Sequence, residues 1–387
     1  MKEAKRLHPI KEYYFSTKLT EINQLKSEGK SIINLGIGSP DISPDPIVLK
    51  KMMEITSQSN SHGYQSYRGH PEFKKAIAQF YKKHFGVKLK PKTQILPLHG
   101  SKEGIMHISM AFLNKGDHVL IPNPGYLTYR SATLLAGGIP IEYQLKSKNN
   151  WFPNLKELEK RDLTKVKIMW INYPHMPTGA IAGAKEFKKI IQFAKKHKIL
   201  VINDNPYSFI RNHERISILK FDDTFEYVME LNSLSKSHNM AGWRVGMLLG
   251  KKQYIDTVLK FKSNMDSGMY LATQLAASKA LNLPDKWYQE LNKTYRNREK
   301  IAEKIFEILN ISFKKNQAGL FLWGKLPKGF HSKQFTDNLL DKTGIFLAPG
   351  FIFGSQGKRY VRLSLTNSIQ ELKEALKRIE KNQEKIL

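Results

Sequence analysis

From Gln94 onward, short apolar runs alternate with longer amphipathic stretches, and this alternation most narrows the folds open to the chain. Residues 95–98, 118–121, 166–171 and 199–202 read as strands that are apolar on both faces. Residues 104–113 and 185–197 lie between them with helical spacing. Strands buried on both sides and joined through helices make a largely parallel sheet covered on both faces. Residues 227–231 and 245–249 are expected to complete that sheet. Ahead of it, helices are expected at 13–28 (with Gly29 as the stop), 46–57 and 71–85, and a short strand at 32–36. Beyond Gly268 the pattern changes to helices at 272–281 and 287–309, strands at 320–323 and 360–365, and a final helix from 369 toward 383. The expected division is an arm and small-domain segment at 1–44, a large domain at 45–275 and a small α+β domain at 276–387.

Bulk properties exclude several classes. The chain has 387 residues, of which 41% are hydrophobic and 25% charged, as in globular proteins. No apolar run approaches the roughly 18 residues of a membrane-spanning helix. The start, Met1-Lys2-Glu3-Ala4-Lys5-Arg6, lacks a following apolar region, so no secretory signal is expected and the cytoplasm is the expected compartment. Without cysteine there are no disulfides, thiolate metal sites or cysteine nucleophiles. A net charge of +29 could attract nucleic acid, yet the lysines are dispersed in pairs such as Lys74-Lys75, Lys82-Lys83 and Lys195-Lys196. No basic block with interleaved aromatics appears, so the expectation is a solvated lysine-rich surface and no nucleic-acid or membrane partner.

Chemistry concentrates in a few segments. Ser233-Leu234-Ser235-Lys236-Ser237 follows an apolar run and is itself followed by Gly242-Trp243-Arg244-Val245-Gly246. A lysine that bonds a carbonyl must lose its proton, which requires a sheltered, electropositive setting. Hydroxyls and a guanidinium suit phosphate oxygens. Lys236 is therefore either an exposed loop lysine or the carrier of an aldehyde cofactor bearing a phosphate. Gly100-Ser101-Lys102-Glu103-Gly104 stands where a strand gives way to a helix, and amides and dipole there accept phosphate. The plainer reading makes Ser101 a helix cap. Asp204, in Asp204-Asn205-Pro206-Tyr207, ends an apolar strand, where a carboxylate is costly unless it is paired or caps a turn. Asn172-Tyr173-Pro174-His175-Met176-Pro177-Thr178-Gly179 and Tyr360-Val361-Arg362-Leu363-Ser364 complete the set.

In order and spacing these segments resemble the class I/II pyridoxal-phosphate-dependent aminotransferases of fold type I, from about Asn34 to Thr366. The resemblance implies a large domain with a mostly parallel seven-stranded sheet sandwiched by helices, plus a smaller α+β domain. It implies that Lys236 holds pyridoxal 5′-phosphate as an aldimine, that Asp204 keeps the ring nitrogen protonated and that Tyr207 bonds the phenolic oxygen. Tyr126 would stack on the ring, while Ser101, Lys102, Ser233, Ser235 and Arg244 would hold the phosphate. Tyr64 would reach the phosphate of a neighbouring subunit, so a homodimer with shared sites is implied. Arg362 would take the substrate α-carboxylate, and Gly38 would lie along the substrate. No metal site is expected.

The implied reaction moves an amino group from an L-amino acid to a 2-oxo acid through the Lys236 aldimine and pyridoxamine phosphate, with Lys236, Asp204 and Tyr207 catalytic. A C–S β-lyase or other elimination on the same scaffold is the alternative. One departure stands out. The family has asparagine before Pro-Thr-Gly, and here that position is Met176, which cannot donate a hydrogen bond. Asn172 lies four residues upstream. The expectation is that Tyr207, alone or with water, holds the phenolic oxygen, and that the lysine adduct titrates higher than in asparagine-bearing relatives.

Overall fold

Capping residues set the limits of the first helices. The computed structural model describes residues 1–387 and begins with α1 (Tyr14–Ser27) and a two-residue strand, β1 (Ile33–Asn34). In α2 (Pro46–Thr56) Asp45 accepts from the Ile47 amide and Pro46 takes the first position, where no amide is needed. α3 (Pro71–Phe85) also begins on proline and ends at Gly86, at φ 68°. The alternating region follows: β2 (Ile95–Leu98), α4 (Ser101–Phe112), β3 (His118–Asn123), α5 (Thr128–Leu135), β4 (Ile139–Gln144), the short α6 (Leu155–Leu158), β5 (Val166–Ile171), α7 (Ala184–His197) and β6 (Leu200–Asp204). Next come β7 (Val228–Ser233), the one-turn α8 (Leu234–Ser237), β8 (Gly246–Leu249), α9 (Lys252–Lys262) and α10 (Leu271–Leu281).

These strands form one seven-stranded sheet in the order β2-β8-β7-β6-β5-β3-β4. Only β8 runs against its neighbours; the pairs β3–β4, β3–β5, β5–β6 and β6–β7 are parallel. Side chains alternate between the two faces, and both faces are buried. Leu96, Leu98, Val119, Ile121, Ile168, Trp170, Ile202, Met229, Leu231 and Leu248 pack with α4, α5 and α9 on one side. Ile95, Leu120, Met169, Ile171, Val201, Val228 and Met247 belong to the larger core on the other. This is the period of two applied to strands with no solvent face.

The remaining elements are α11 (Asp285–Ile308), β9 (Ser312–Phe313), β10 (Phe321–Lys325), α12 (Ser332–Thr343), β11 (Ile345–Phe346), β12 (Ala348–Pro349), β13 (Tyr360–Ser364), α13 (Ile369–Lys381) and α14 (Gln383–Ile386). They build an antiparallel sheet in the order β12-β13-β10-β9, while β1 pairs in parallel with β11. On α1, Ile22 packs with Leu340 and Phe346, so the N-terminal arm is stitched to the C-terminal segment. A capping box between Ser368 and Glu371 starts α13.

Several elements go beyond the sequence expectation, among them α9, α12, β4 and α5. β4 is an edge strand whose Ile139 is 45% exposed, so it lacks the doubly apolar run that marks the inner strands. α5 buries Thr128, Tyr129, Ala132 and Thr133, a mixed face that apolar counting does not register. Boundaries also move by one to three residues, α4 starting at Ser101 and β8 at Gly246. Phe306 of α11 is fully buried against Phe313, in room left by Gly324 of β10. Phe306→Ala should cost about 3–5 kcal/mol, read as a lower urea midpoint for the small sheet and its helices.

Candidate functional site

Five chain segments bring their functional groups to the carboxyl ends of the parallel strands, the edge where open α/β sheets bind ligands. The cavity there, about 470 Å³, is lined by Ser101 and Lys102 at the start of α4, Tyr126 after β3, and Asn172 and Met176 after β5. Asp204 and Tyr207 come from the end of β6, and Ser233, Ser235, Lys236 and Arg244 from the turn joining β7 to β8. Gly38, Phe321 and Arg362 reach it from the other sheet and the N-terminal arm, together with Phe15 and Leu19 of α1.

Asp204 sits opposite Leu231 in the β6–β7 register, and its carboxylate is buried. One oxygen accepts from the Tyr129 hydroxyl at 2.9 Å, whereas Oδ1 has no partner. Burial pushes this carboxyl up to about 7; the Tyr129 bond opposes that rise and Glu230 adds to it. Glu230 is itself buried and holds the strand ends through Tyr81, Asn203 and Asn205. Asn172 is occupied on both sides, its Nδ2 donating to Asp204 O at 2.5 Å and its Oδ1 accepting from the Met176 amide at 2.8 Å. It therefore supports the strand ends rather than replacing the absent asparagine.

Lys236 follows from the turn chemistry of α8. Ser233 caps that turn by accepting from the Ser235 amide at 3.1 Å, and its hydroxyl donates to Val245 O. The lysine side chain is projected into the cavity, where Nζ donates to Gly38 O at 2.9 Å. Burial, reinforced by Arg362 and Arg244, holds its amine down to about 8. Gly246 is required beside it, since a Cβ would lie 2.7 Å from Ser101 N and from Gly100 C. Gly100, at φ +91°, likewise leaves room for the Arg244 guanidinium. The start of α4 and the β7–β8 turn are thus pressed together, backbone amides beside hydroxyls and a guanidinium.

Arg362 is fully enclosed, and burial lowers its guanidinium to about 10. Its carbon lies 3.9 Å from the Phe321 ring centre, 4.7 Å from Phe353 and 5.4 Å from Phe15. Nη2 donates to Gly36 O at 2.7 Å, Nη1 meets Met176 Sδ at 3.3 Å, and Nε has no partner. A cation so short of good acceptors is prepared for a carboxylate. Gly38 is glycine for a reason the sequence did not show: a Cβ would collide with the Phe321 ring.

Every site residue expected from the sequence lines this cavity except Tyr64, which is 95% exposed and away from it. Sequence reasoning missed Tyr129, whose position one helical turn after Tyr126 was the available signal, and it missed Phe15, Leu19 and Phe321, which carry none.

Known proteins agree with this architecture. A family profile described as aminotransferase class I and II matches residues 30–379. The chain is 38% identical over 382 residues to an LL-diaminopimelate aminotransferase of Dehalococcoides mccartyi (strain CBDB1), covering 98% of each. It is 39% identical to the enzyme of that name from Aquifex aeolicus, covering 97% of each. Among solved structures, substrate-bound BacF from Bacillus subtilis superposes with a TM-score of 0.94 at 33% identity, covering 99% of this chain and 98% of that one. A probable N-succinyldiaminopimelate aminotransferase from Thermus thermophilus gives 0.88 at 32% identity, covering 95% and 99%.

The amine at position 236 yields a direct test. In the free protein, adduct formation with a carbonyl reagent, trapped by borohydride and mapped by peptide mass, should speed up about tenfold per pH unit below 8 and level off above it. A rate at Lys236 that is flat between pH 6 and 9 would contradict the lowered amine.

Proposed function

This chain belongs to the aminotransferase class I and II family, and from that premise we propose that its cavity binds pyridoxal 5′-phosphate and that LL-diaminopimelate is its amino donor. As an aminotransferase it moves an amino group from an amino acid to a 2-oxo acid. The curated relatives, at 35 to 39% identity, are named as transaminases, so the elimination alternative is set aside.

The observation that carries the cofactor reading is the unpartnered Oδ1 of buried Asp204, in the same cavity as the Lys236 amine. A protonated pyridine nitrogen supplies the missing donor and a positive charge, which turns a costly carboxylate into a paired one. The phosphate suits the amides at the start of α4 with Ser101, Lys102, Ser233, Ser235 and Arg244 around them. Tyr126 offers a ring face, and Tyr207 a hydroxyl for the phenolic oxygen. Tyr64, exposed on this chain, would complete the phosphate site of a second subunit in a homodimer. Bound there, the cofactor supplies an electron sink for the substrate α-carbanion.

The chain's own residues do the rest. Arg362 holds the α-carboxylate and so fixes which bond at the α-carbon faces Lys236. The Lys236 amine, once free of its carbonyl, accepts the α-proton at Nζ and later returns it. Asp204 stays ionised only while its partner stays protonated, which keeps the two charges coupled.

For the donor, Arg362 accounts for one carboxylate. The choice of a diamino diacid rests on the relatives, which are named LL-diaminopimelate aminotransferases. With 2-oxoglutarate or pyruvate as acceptor, LL-diaminopimelate should exceed L-aspartate, L-tyrosine and L-methionine in kcat/KM by about tenfold or more. A better rate with one of the others overturns the donor assignment. Lys236→Ala should abolish turnover while leaving some cofactor bound. In Met176→Asn, the absorbance titration of the bound cofactor should move to lower pH, because the amide restores a donor to the phenolic oxygen. An unchanged or higher midpoint would show that Met176 has no such consequence.

A further inference from the structure

Outside the cavity, a second group of ionisable side chains converges at short range. His99 stands just before α4, Glu103 and His107 lie one turn apart on α4, and Asp266 follows the end of α9. His107 Nε2 is 3.2 Å from Glu103 Oε1 and 3.4 Å from Asp266 Oδ2. His99 Nδ1 is 3.7 Å from Glu103 and 3.7 Å from Asp266 Oδ2. Ligands held about 2.0–2.2 Å from one ion stand roughly 3.0–3.6 Å from each other.

His107 lies within reach of both carboxylates, yet well-aligned hydrogen bonds do not close the group. The His107 ring is 0% exposed, and neither of its nitrogens has a hydrogen-bond partner despite those short distances. Asp266 Oδ2 is also buried without one. Groups aimed at a common centre, rather than at each other, leave this signature. Charge points the same way: Glu103 and Asp266 together carry two negative charges, and buried Lys262, paired with Asp266 Oδ1, supplies one positive charge. The outer contacts of a metal site are present as well, with Lys262 on Asp266 and the His99 amide donating to Glu103 Oε2 at 2.7 Å. His99, with 37% of its side chain exposed, leaves a route for an ion to enter.

We propose that His99, Glu103 and Asp266 form a binding site for one divalent transition-metal ion, with the buried His107 ring beside them, one imidazole and two carboxylates being a donor set suited to zinc or manganese. None of the four lines the catalytic cavity, so the ion is a structural clamp. It ties the loop after α9 to the first turns of α4, whose N-terminus faces the cavity. The same loop carries Gly268, packed so tightly on the backbone of Gln65 and Ser66 that a Cβ has no room. The clamp therefore also supports the segment beside Tyr64. This departs from the expectation of no metal drawn from the sequence, because Asp266 joins His99 and Glu103 from a loop remote in the chain.

The holoenzyme, stripped with a chelator and returned to metal-free, phosphate-free buffer, is titrated calorimetrically with zinc chloride and separately with manganese chloride. One ion is expected to bind per chain and to raise the melting temperature. H99A, at a part-exposed position that leaves the core untouched, should weaken binding about tenfold or more while keeping the circular-dichroism spectrum. E103Q should do the same; if it fails to fold, D266N takes its place. Should neither ion bind the unaltered protein, the four groups are a charge network closed by protons and Lys262, and the proposal falls. Binding of equal strength in H99A and in the second variant places the ion elsewhere and overturns it too.

Discussion

A buried carboxylate oxygen with no partner is the constraint around which this cavity is organised. Leaving such a group unsatisfied costs about 1–3 kcal/mol, and more when it is charged. At Asp204 the fold does not relieve that cost but surrounds it with fixed supports: Tyr129 on the other oxygen, Asn172 on the backbone carbonyl and Glu230 on the neighbouring strand β7. Its carboxyl is consequently pushed up to about 7, poised between the charged and neutral forms until a cationic donor arrives. On the opposite side, Arg244 and Arg362 act with burial to bring the Lys236 amine down to about 8. One environment thus produces both an acid that wants a proton donor and an amine ready to act as nucleophile and base.

Neither group would be aligned without the reversed strand β8. Because β7 ends at Ser233 and β8 begins at Gly246 directly opposite, the intervening turn is short enough to hold Lys236 and Arg244 in one place. The absence of a side chain at Gly246 lets that turn touch the start of α4. The other wall comes from the second sheet, where β13 sits between β10 and β12 and turns Arg362 inward among three phenylalanine rings. α1 closes that wall with Phe15 and Leu19, held by the packing of Ile22 on Leu340 and Phe346. Met176 occupies the seam between the two walls, its thioether a weak acceptor for a guanidinium that an amide would bond more strongly.

Much of this was legible in the residue order. The doubly apolar strands 166–171 and 199–202 announced a sheet covered on both faces, and the chemistry-bearing segments fell where strands end. β4 and α5 were missed because an edge strand and a short helix with a mixed face do not carry the period on which such reading depends. Gly38 lines the cavity as expected from the sequence, and the Phe321 ring adds a packing reason for glycine there that the sequence did not carry. Tyr64 stands on the open surface of a single chain and does not line the cavity.

Local sequence determined the elements, the identity of the lysine, aspartate and arginines, and hence the family, because each depends on neighbours within a few residues: turn hydroxyls, a strand end, a helix start. Tertiary structure alone decided which polar atoms remain unpartnered. Whether Asp204 Oδ1, Arg362 Nε or the His107 ring finds a bond depends on side chains many residues away and on the water excluded between them. Those distances are set by packing, and packing is where the charges acquire their altered acidity.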